Sequence, residues 1–251
     1  MSRTIPAGNT PSPVTRWFEL DGAEGGVRYY DKEKKEQIEV GKKFGFILLD
    51  QLAVVKGWHE PSESGITSNE VRDTKAERLI VRAFKGGDLA EGFYSEIRDR
   101  IKAVGGHYTC NLYLAYKSGD DLKLGCLQIK GAALNAWVEF KKASGEQVWK
   151  QSISITGWTD GKNGSVKYKT PVFKLTPITK ESDDKAGEIQ EALKAYHAEY
   201  FKRTRVEQVD KPAAAGPDKV DWEKVEPGRR EAEVADATAA EQEDESDSVP
   251  F

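Results

Sequence analysis

Two runs of the sequence alternate between apolar and polar residues, Glu146-Gln-Val-Trp-Lys-Gln-Ser-Ile-Ser-Ile-Thr-Gly-Trp158 and Ser165-Val-Lys-Tyr-Lys-Thr-Pro-Val-Phe-Lys-Leu175. Side chains of a β-strand point alternately to the two faces of a sheet, so each run has the period of a half-buried strand. The turn-rich Thr159-Asp-Gly-Lys-Asn-Gly164 joins them and predicts a β-hairpin. Ile153 and Ile155 should face the core. The opposite side should carry Lys150, Ser152, Ser154, Thr156 and Trp158.

More strands are predicted on the N-terminal side of this hairpin. Residues 108–117 and 122–130 form a second hairpin across Ser118-Gly-Asp-Asp121. The apolar run 43–55 fits a bent strand or two strands with a bulge. Residues 77–85 alternate cleanly and place Leu79, Val81 and Ala83 opposite Arg78, Ile80, Arg82 and Phe84. Residues 60–69, with Pro61 and Gly65, are predicted to be a loop.

Two segments have the helical period instead. In residues 88–104, apolar side chains recur at helical spacing until Gly105-Gly106 ends the element. Residues 183–205 form the clearest helix, with one apolar stripe at Ile189, Leu193, Tyr196 and Tyr200. Residues 132–141 fit both a helix and a strand, and we assign them to a strand.

This pattern predicts a mainly β protein with α additions, in the form of an OB-fold-like small Greek-key barrel with a C-terminal helix. Residues 1–25 are rich in Pro, Gly, Ser and Thr and are predicted to be an irregular N-terminal arm. Residues 26–206 should form the folded body. Residues 207–251 have no periodicity and are predicted to be a disordered acidic tail.

The charge of the chain is divided between these segments. From Glu207 onward there are 14 acidic and 5 basic residues, a net charge of −9, against 33 basic and 28 acidic residues before it, a net charge of +5. A basic body suits a polyanionic ligand, and an acidic tail can occupy the same surface when the ligand is absent. A solvated body with a solubilising tail is the alternative interpretation.

The tail ends in Gln242-Glu-Asp-Glu-Ser-Asp-Ser-Val-Pro-Phe251, four carboxylates without a base followed by an apolar end. Self-repulsion keeps such a segment extended, while the terminal ring and carboxylate can enter a pocket with a basic rim. This tip resembles that of bacterial and phage single-stranded DNA-binding proteins. The resemblance implies an OB-fold core and a tip that recruits replication or repair proteins. The docking residues would be Asp247, Val249, Pro250 and Phe251.

Strands that carry lysines, arginines and aromatic rings supply the candidate DNA-binding residues of the body. Binding a single strand without sequence preference requires cations for phosphates and flat rings for bases. The candidates are Arg78, Arg82, Tyr113, Lys117, Lys150, Trp158, Lys162, Lys167, Tyr168 and Lys169. Lysines on a sheet are most often only solvated, so the prediction depends on their grouping on two hairpins.

The sequence contains none of the common phosphate-loop, dinucleotide, zinc-protease or nucleophile-elbow motifs, so we predict no enzyme and no cofactor. His107, Cys110 and Cys126 could supply three zinc ligands, but alternation separates the first two, and we predict no metal site. The cysteines should be buried, reduced thiols of a cytoplasmic protein without a membrane segment.

We predict a phage or bacterial protein that coats single-stranded DNA during replication, recombination or repair. One rival is a protein-only adaptor that uses the same tail, with no nucleic-acid binding by the body. A metal-dependent nuclease is the other, with Asp120-Asp121 and Asp183-Asp184 as its carboxylates. Each pair also suits a turn or a helix start, which is the simpler interpretation.

Overall fold

The computed structural model describes residues 11–210, with side chains described up to residue 202. The protein is mainly β, with a C-terminal helix, as predicted. The strands are β1 Arg16–Asp21, β2 Gly26–Asp31, β3 Glu36–Gly41, β4 Phe44–His59, β5 Ser64–Ser68, β6 Leu79–Ala83, β7 Gly87–Gly92, β8 Gly106–Ser118, β9 Asp121–Lys130, β10 Ser152–Asn163 and β11 Val166–Thr176. The helices are α1 Tyr94–Ala103, α2 Gly131–Ser144 and α3 Lys180–Asp210, and 3-10 turns cover Glu60–Ser62 and Gly145–Trp149.

All eleven strands belong to one open, mixed sheet. Nine of them follow the order β3-β2-β1-β9-β8-β4-β5-β6-β7, while β10 pairs with β4 and β11 pairs with β10. β1 and β9 run parallel, and the other neighbours are antiparallel. Both predicted hairpins are confirmed, and β4 lies between them in the sheet.

β4 is the strand that connects the parts of the sheet. It pairs with β8 along most of its length, with β10 near its start and with β5 near its end. A register shift between Leu48 and Asp50 confirms the predicted bulge. Because a bulge inserts one residue, Leu48 belongs to one apolar cluster, whereas Leu49 and Leu52 belong to another on the opposite face.

One face of the sheet carries two apolar clusters. The first joins side chains of β1, β2, β4, β8, β9, β10 and β11 to Trp137 of α2. The second lies under α1 and contains Ala53, Val55, Ile97 and Ile101. Ala53 is paired directly with Cys110 of the first cluster, so the two clusters share this face.

α3 covers part of the opposite face. Ala186 and Leu193 are buried against Leu52, Tyr113 and other side chains of β4, β8 and β9. The confirmed helix is longer than predicted at both ends. Helix α1 is also confirmed, although the chain first forms β7, because Gly87–Gly92 pairs with β6.

Polar contacts add to the docking of α3. The buried His197 of α3 donates a hydrogen bond of 2.9 Å from Nδ1 to Asp50 Oδ2, and Arg72 donates two bonds of 2.7 Å to the same carboxylate. The Tyr200 hydroxyl accepts a bond from the backbone N–H of Glu70 at 2.7 Å. These contacts fix the end of α3 to the segment that links β5 and β6.

Several local predictions differ from the structure. Residues 146–149, predicted as the start of a strand, lie in a 3-10 turn, and β10 begins at Ser152. Residues 132–141 are helical rather than a strand, because Trp137 is fully buried against Phe140 and Phe173 and the whole helix packs on β11. The predicted loop 60–69 contains β5, which β4 and β6 hold on both sides. The predicted irregular arm contains β1, whose Phe18 is buried in the first cluster.

Within residues 11–210, no helix has the length and apolar character needed to cross a membrane.

Candidate nucleic-acid interface

The β10–β11 hairpin carries five of the ten predicted binding residues. Its strands pair without interruption from Gly157 and Val172 out to Asn163 and Val166, so the chain turns only at Gly164-Ser165. Gly164 has a φ of +57°, which glycine adopts without strain. The segment predicted as a six-residue turn is therefore mostly strand, and the hairpin is longer than the sequence pattern indicated.

A bulge in β10 reverses the orientation of Trp158. The register shifts between Ile155 and Gly157, so the alternation of side chains moves by one residue. Ser152 and Ser154 lie opposite the buried Ile153, as predicted, but Trp158 packs against the first apolar cluster. Its Nε1 donates a hydrogen bond of 2.9 Å to the carbonyl oxygen of Lys42. The edge of the ring that carries Nε1 is thus held against the folded body, so this part of Trp158 is not available to stack on a base.

Beyond Trp158, the hairpin places lysines directly opposite one another. Lys162 pairs with Lys167, and both side chains are exposed. Among the described residues, neither ammonium group has an ion-pair partner. Like charges in directly opposed positions destabilise a sheet. A bound anion would remove that repulsion, which makes this pair the strongest cationic feature of the hairpin.

The next pair on the same face is Asp160 and Lys169. The Lys169 ammonium donates a hydrogen bond of 2.5 Å to Asp160 Oδ1, and this bond lowers the pKa of Asp160 and raises that of Lys169. Asp160 is the carboxylate nearest to the lysine pair along the hairpin. Its ion pair is with Lys169, while the more distant Lys167 contributes a weaker electrostatic attraction to the same carboxylate.

Tyr168 occupies the other face of the hairpin. It is paired with Gly161, and a Cβ on that glycine would lie 2.3 Å from the tyrosine ring. The ring therefore lies flat over the glycine backbone, with its outer face half-exposed. A ring held in this way has little conformational freedom left to lose on binding.

The base of the hairpin is fixed to the body at the turn between β1 and β2. The backbone N–H of Lys169 donates to the Gly22 carbonyl oxygen at 2.7 Å. A Cβ on Gly25 would lie within 3.0 Å of both Trp158 and Lys169, so this glycine allows the close approach. The hairpin is consequently attached along β4 and at this turn, with its lysine pair beyond both attachments.

Lys117 lies on the face of the sheet opposite the first apolar cluster, because its neighbour Tyr116 belongs to that cluster. Phe46 pairs with Tyr116, which puts Lys117 beside Gly45, and Gly45 pairs with Ser154 of β10. Lys174 is opposite Ser154, so Lys117 and Lys174 share one row across four strands. Lys150, outside β10, forms an ion pair of 3.0 Å with Glu146.

The remaining predicted residues lie farther away. Arg82 of β6 donates to Asp88 at 2.7 Å, and Arg78 Nε lies 3.8 Å from Glu91. Tyr113 is only 2% exposed, and its hydroxyl donates to Glu70 Oε2 at 2.7 Å. A ring in the core cannot stack on a base, so Tyr113 does not belong to this surface. The ten residues form separate groups on both faces of the sheet, rather than one continuous groove.

Two exposed aromatic residues near Arg82 were not among the predicted site residues. Trp58 is 47% exposed and Phe84 is 75% exposed, at the far end of β4 and next to β6. The alternation of residues 77–85 placed Phe84 on the side of Arg82. The assignment of residues 60–69 to a loop hid the strand that brings Trp58 next to it.

Other expectations concern groups outside this surface. Cys110 and Cys126 are free, buried thiols, and burial raises the pKa of Cys110 to about 12. Within the described residues, no three His, Cys, Asp or Glu side chains are placed to hold a metal ion. The predicted docking residues Asp247, Val249, Pro250 and Phe251 lie outside the described part of the chain.

Comparison of the chain with protein-family models, with curated proteins and with solved structures finds no match in any of the three.

Proposed function

We propose that this protein binds single-stranded DNA without sequence preference and recruits replication, recombination or repair proteins through its acidic C-terminal tip. The observation that carries the proposal is the exposed Lys162–Lys167 pair at the end of the attached hairpin, which has no ion-pair partner among the described residues. Two adjacent cations on a strand pair match consecutive phosphates of a flexible polyanion. The half-exposed Tyr168 ring, on the other face of the same hairpin, offers a separate surface on which a base can stack.

For part of this open sheet we propose a partly open barrel of the OB type. It is supported by the parallel pairing of β1 with β9 and by the antiparallel series β9, β8, β4, β10 and β11. The Lys169–Gly22 hydrogen bond brings the last strand of that series back to the end of β1. Side chains of all these strands share the first apolar cluster, as the interior of a small barrel would require.

The proposal for the tail comes from its sequence. Its net charge of −9 opposes the positive body, and a tethered tail has a high effective concentration near that body. DNA would displace the tail from the cationic surface and release Val249, Pro250 and Phe251 for a partner protein. No chemical bond changes in this cycle, and no cofactor takes part.

Titration of the full chain with poly-dT, followed by tryptophan fluorescence at two salt concentrations, tests the DNA-binding part. Wild-type affinity should fall steeply with salt, because bound phosphates release counterions. The variant K162A/K167A should lower the slope of log affinity against log salt by about 1.4, or about 0.7 for each lost contact. The matched control K32A/K34A removes two exposed lysines from the β2–β3 turn and should keep the slope.

Absence of binding at both salt concentrations would reject the proposal and favour the protein-only adaptor. Equal slopes for the two double variants would reject the hairpin as the contact surface. DNA cleavage that requires magnesium would instead support the nuclease alternative.

A further inference from the structure

Trp58 and Phe84 flank one glycine on the face of the sheet that α3 partly covers. Trp58 of β4 is directly opposite Gly65 of β5. A Cβ on Gly65 would lie 3.1 Å from the Phe84 ring, so this ring leans over the glycine from the β6 side. Among the described residues, the two rings make no ring contact with each other or with another aromatic side chain. Both therefore keep a flat face available to a ligand.

Hydrogen bonds hold the backbone beneath these rings in place. The Phe84 N–H donates to the Gly65 carbonyl oxygen at 3.0 Å, and the Lys85 N–H donates to Ser64 Oγ at 3.1 Å. Ser62 bridges Ser64 and His59 with bonds of 2.9 and 2.7 Å. Phe84 is thus an exposed ring on a fixed turn. Exposure of this apolar ring to water is unfavourable, and the ring does not improve the packing of the core.

Two cationic side chains, Lys56 and Arg82, lie on the same face, each two residues before one of the rings in the sequence. Lys56 precedes Trp58 by two residues on β4, and its Nζ donates to Thr67 Oγ1 at 2.9 Å. Thr67 in turn is paired with Arg82, which binds Asp88. Partial burial lowers the pKa of Lys56, because the charged form is poorly solvated there. A phosphate near this row would supply an additional counter-charge to Lys56 and Arg82.

This group is remote from the lysine hairpin. β10 joins β4 at residues 44–47, whereas Trp58 is at the opposite end of the strand. From Gly45 to Trp58 the strand advances about 43 Å, at about 3.3 Å per residue. Trp58 follows Leu52 at an even spacing and so lies on the face that α3 partly covers. One short oligonucleotide cannot reach both groups.

We infer that Trp58 and Phe84 form a second binding site for single-stranded nucleic acid, in which bases stack on the two rings and phosphates contact the Lys56–Arg82 row. The inference rests on the proposed function and extends it to a second, aromatic site. The flat glycine floor and its polar neighbours suit a base and its phosphate better than an apolar peptide, which requires a groove.

The test compares variants of the full chain by titration with oligo-dT of about 8 and about 40 nucleotides, lengths that can fill one site or span both. We expect F84A to lower affinity for the long oligonucleotide by about 5-fold to about 150-fold, the range that corresponds to one lost stacked base. The variant F84L, which keeps an apolar cover on Gly65 but removes the ring, should show the same direction of change. The control Y30A removes a ring that is 53% exposed elsewhere and should leave affinity unchanged.

Fluorescence provides an independent readout. W58F should remove part of the quenching caused by the short oligonucleotide, whereas W17F, at a residue that is 38% exposed on β1, should not. If wild type binds and K162A/K167A weakens binding, but F84A, F84L and W58F behave like their controls, the second site is refuted and the proposed function stands. If no oligonucleotide binds the wild type, both the second site and the proposed function are refuted. Loss of affinity in F84A and F84L alone would support this site and reject the hairpin.

Discussion

Replacing Asp50 by Asn should loosen α3 from the sheet. Asp50 accepts two hydrogen bonds of 2.7 Å from Arg72 and lies 2.9 Å from His197 Nδ1. Despite the opposing effect of burial, the bonds to His197 and Arg72 lower the pKa of Asp50 from 3.8 to about 2. The Asn side chain keeps the size of the original but removes the charge. Asn, like the protonated carboxyl group, is neutral and has a donor in place of one acceptor oxygen, so D50N mimics the acid form of Asp50.

The magnitude follows from this pKa. The fall of this pKa from 3.8 to about 2 corresponds to about 2 kcal/mol of folding free energy at neutral pH. Because the folded-state pKa is lowered, this stabilisation is fully present above pH of about 4 and is lost as the pH falls through about 2. The free energy of unfolding of wild type should therefore exceed that of D50N by about 2 kcal/mol at pH 7, and the difference should vanish near pH 2.

Urea unfolding of both proteins across this pH range measures the difference. Limited trypsin digestion supplies a second observable, since loss of the His197 contact should expose the lysines of α3 to cleavage earlier in D50N. The variant K194A serves as a control, because it breaks only an exposed ion pair of the same helix with Glu191. A stability difference that stays constant from pH 7 to pH 2, or one below about 0.5 kcal/mol, would refute the reasoning.

Three further outcomes are expected. W137A should lower the free energy of unfolding, measured in urea, by about 3–5 kcal/mol. The reason is that this fully buried side chain joins α2 to the first apolar cluster and donates a hydrogen bond to Gln51 Oε1. An effect below about 1 kcal/mol would contradict the packing described. G161A should displace the Tyr168 ring and weaken poly-dT binding with little change in melting temperature, and unchanged binding would exclude Tyr168 from the interface. Deletion of residues 247–251 should preserve or strengthen DNA binding while it abolishes capture of partner proteins, whereas loss of both activities would give the tail a structural role.

Much of the β architecture could be predicted from alternation alone. The two hairpins, helix α1 and helix α3 had a clear period in the sequence, whereas β4 was predicted from its long apolar run. These elements are half-buried, so their apolar residues recur at the spacing of the element that carries them. α2 was missed because its apolar residues fit both periods, and the choice depended on the fit of Trp137 beside Phe173, which is a tertiary contact.

The site was less predictable for a different reason. A single inserted residue in β10 turned Trp158 towards the core, and no local signal marks that insertion. Tyr113 became a core residue because Glu70, 43 positions earlier, supplies an acceptor for its hydroxyl. Strand β5 has only five residues, and Pro61, Ser62 and Gly65 in and before it are typical of loops, so its pairing with β4 and β6 was not apparent from the sequence.

The parallel ladder between β1 and β9 has a consequence for biosynthesis. It pairs Arg16 with Gly125, and Thr15 also donates to Leu124 across a separation of 109 residues. Closing so long a loop lowers the chain entropy before the contact between its ends can stabilise the structure. Such long-range contacts slow the folding of a domain. On the ribosome, Phe18 would emerge long before Tyr116 and Leu127, two of its docking partners, are translated. The amino-terminal meander must therefore wait in a non-native state, where a chaperone that recognises exposed aromatic segments could act on it.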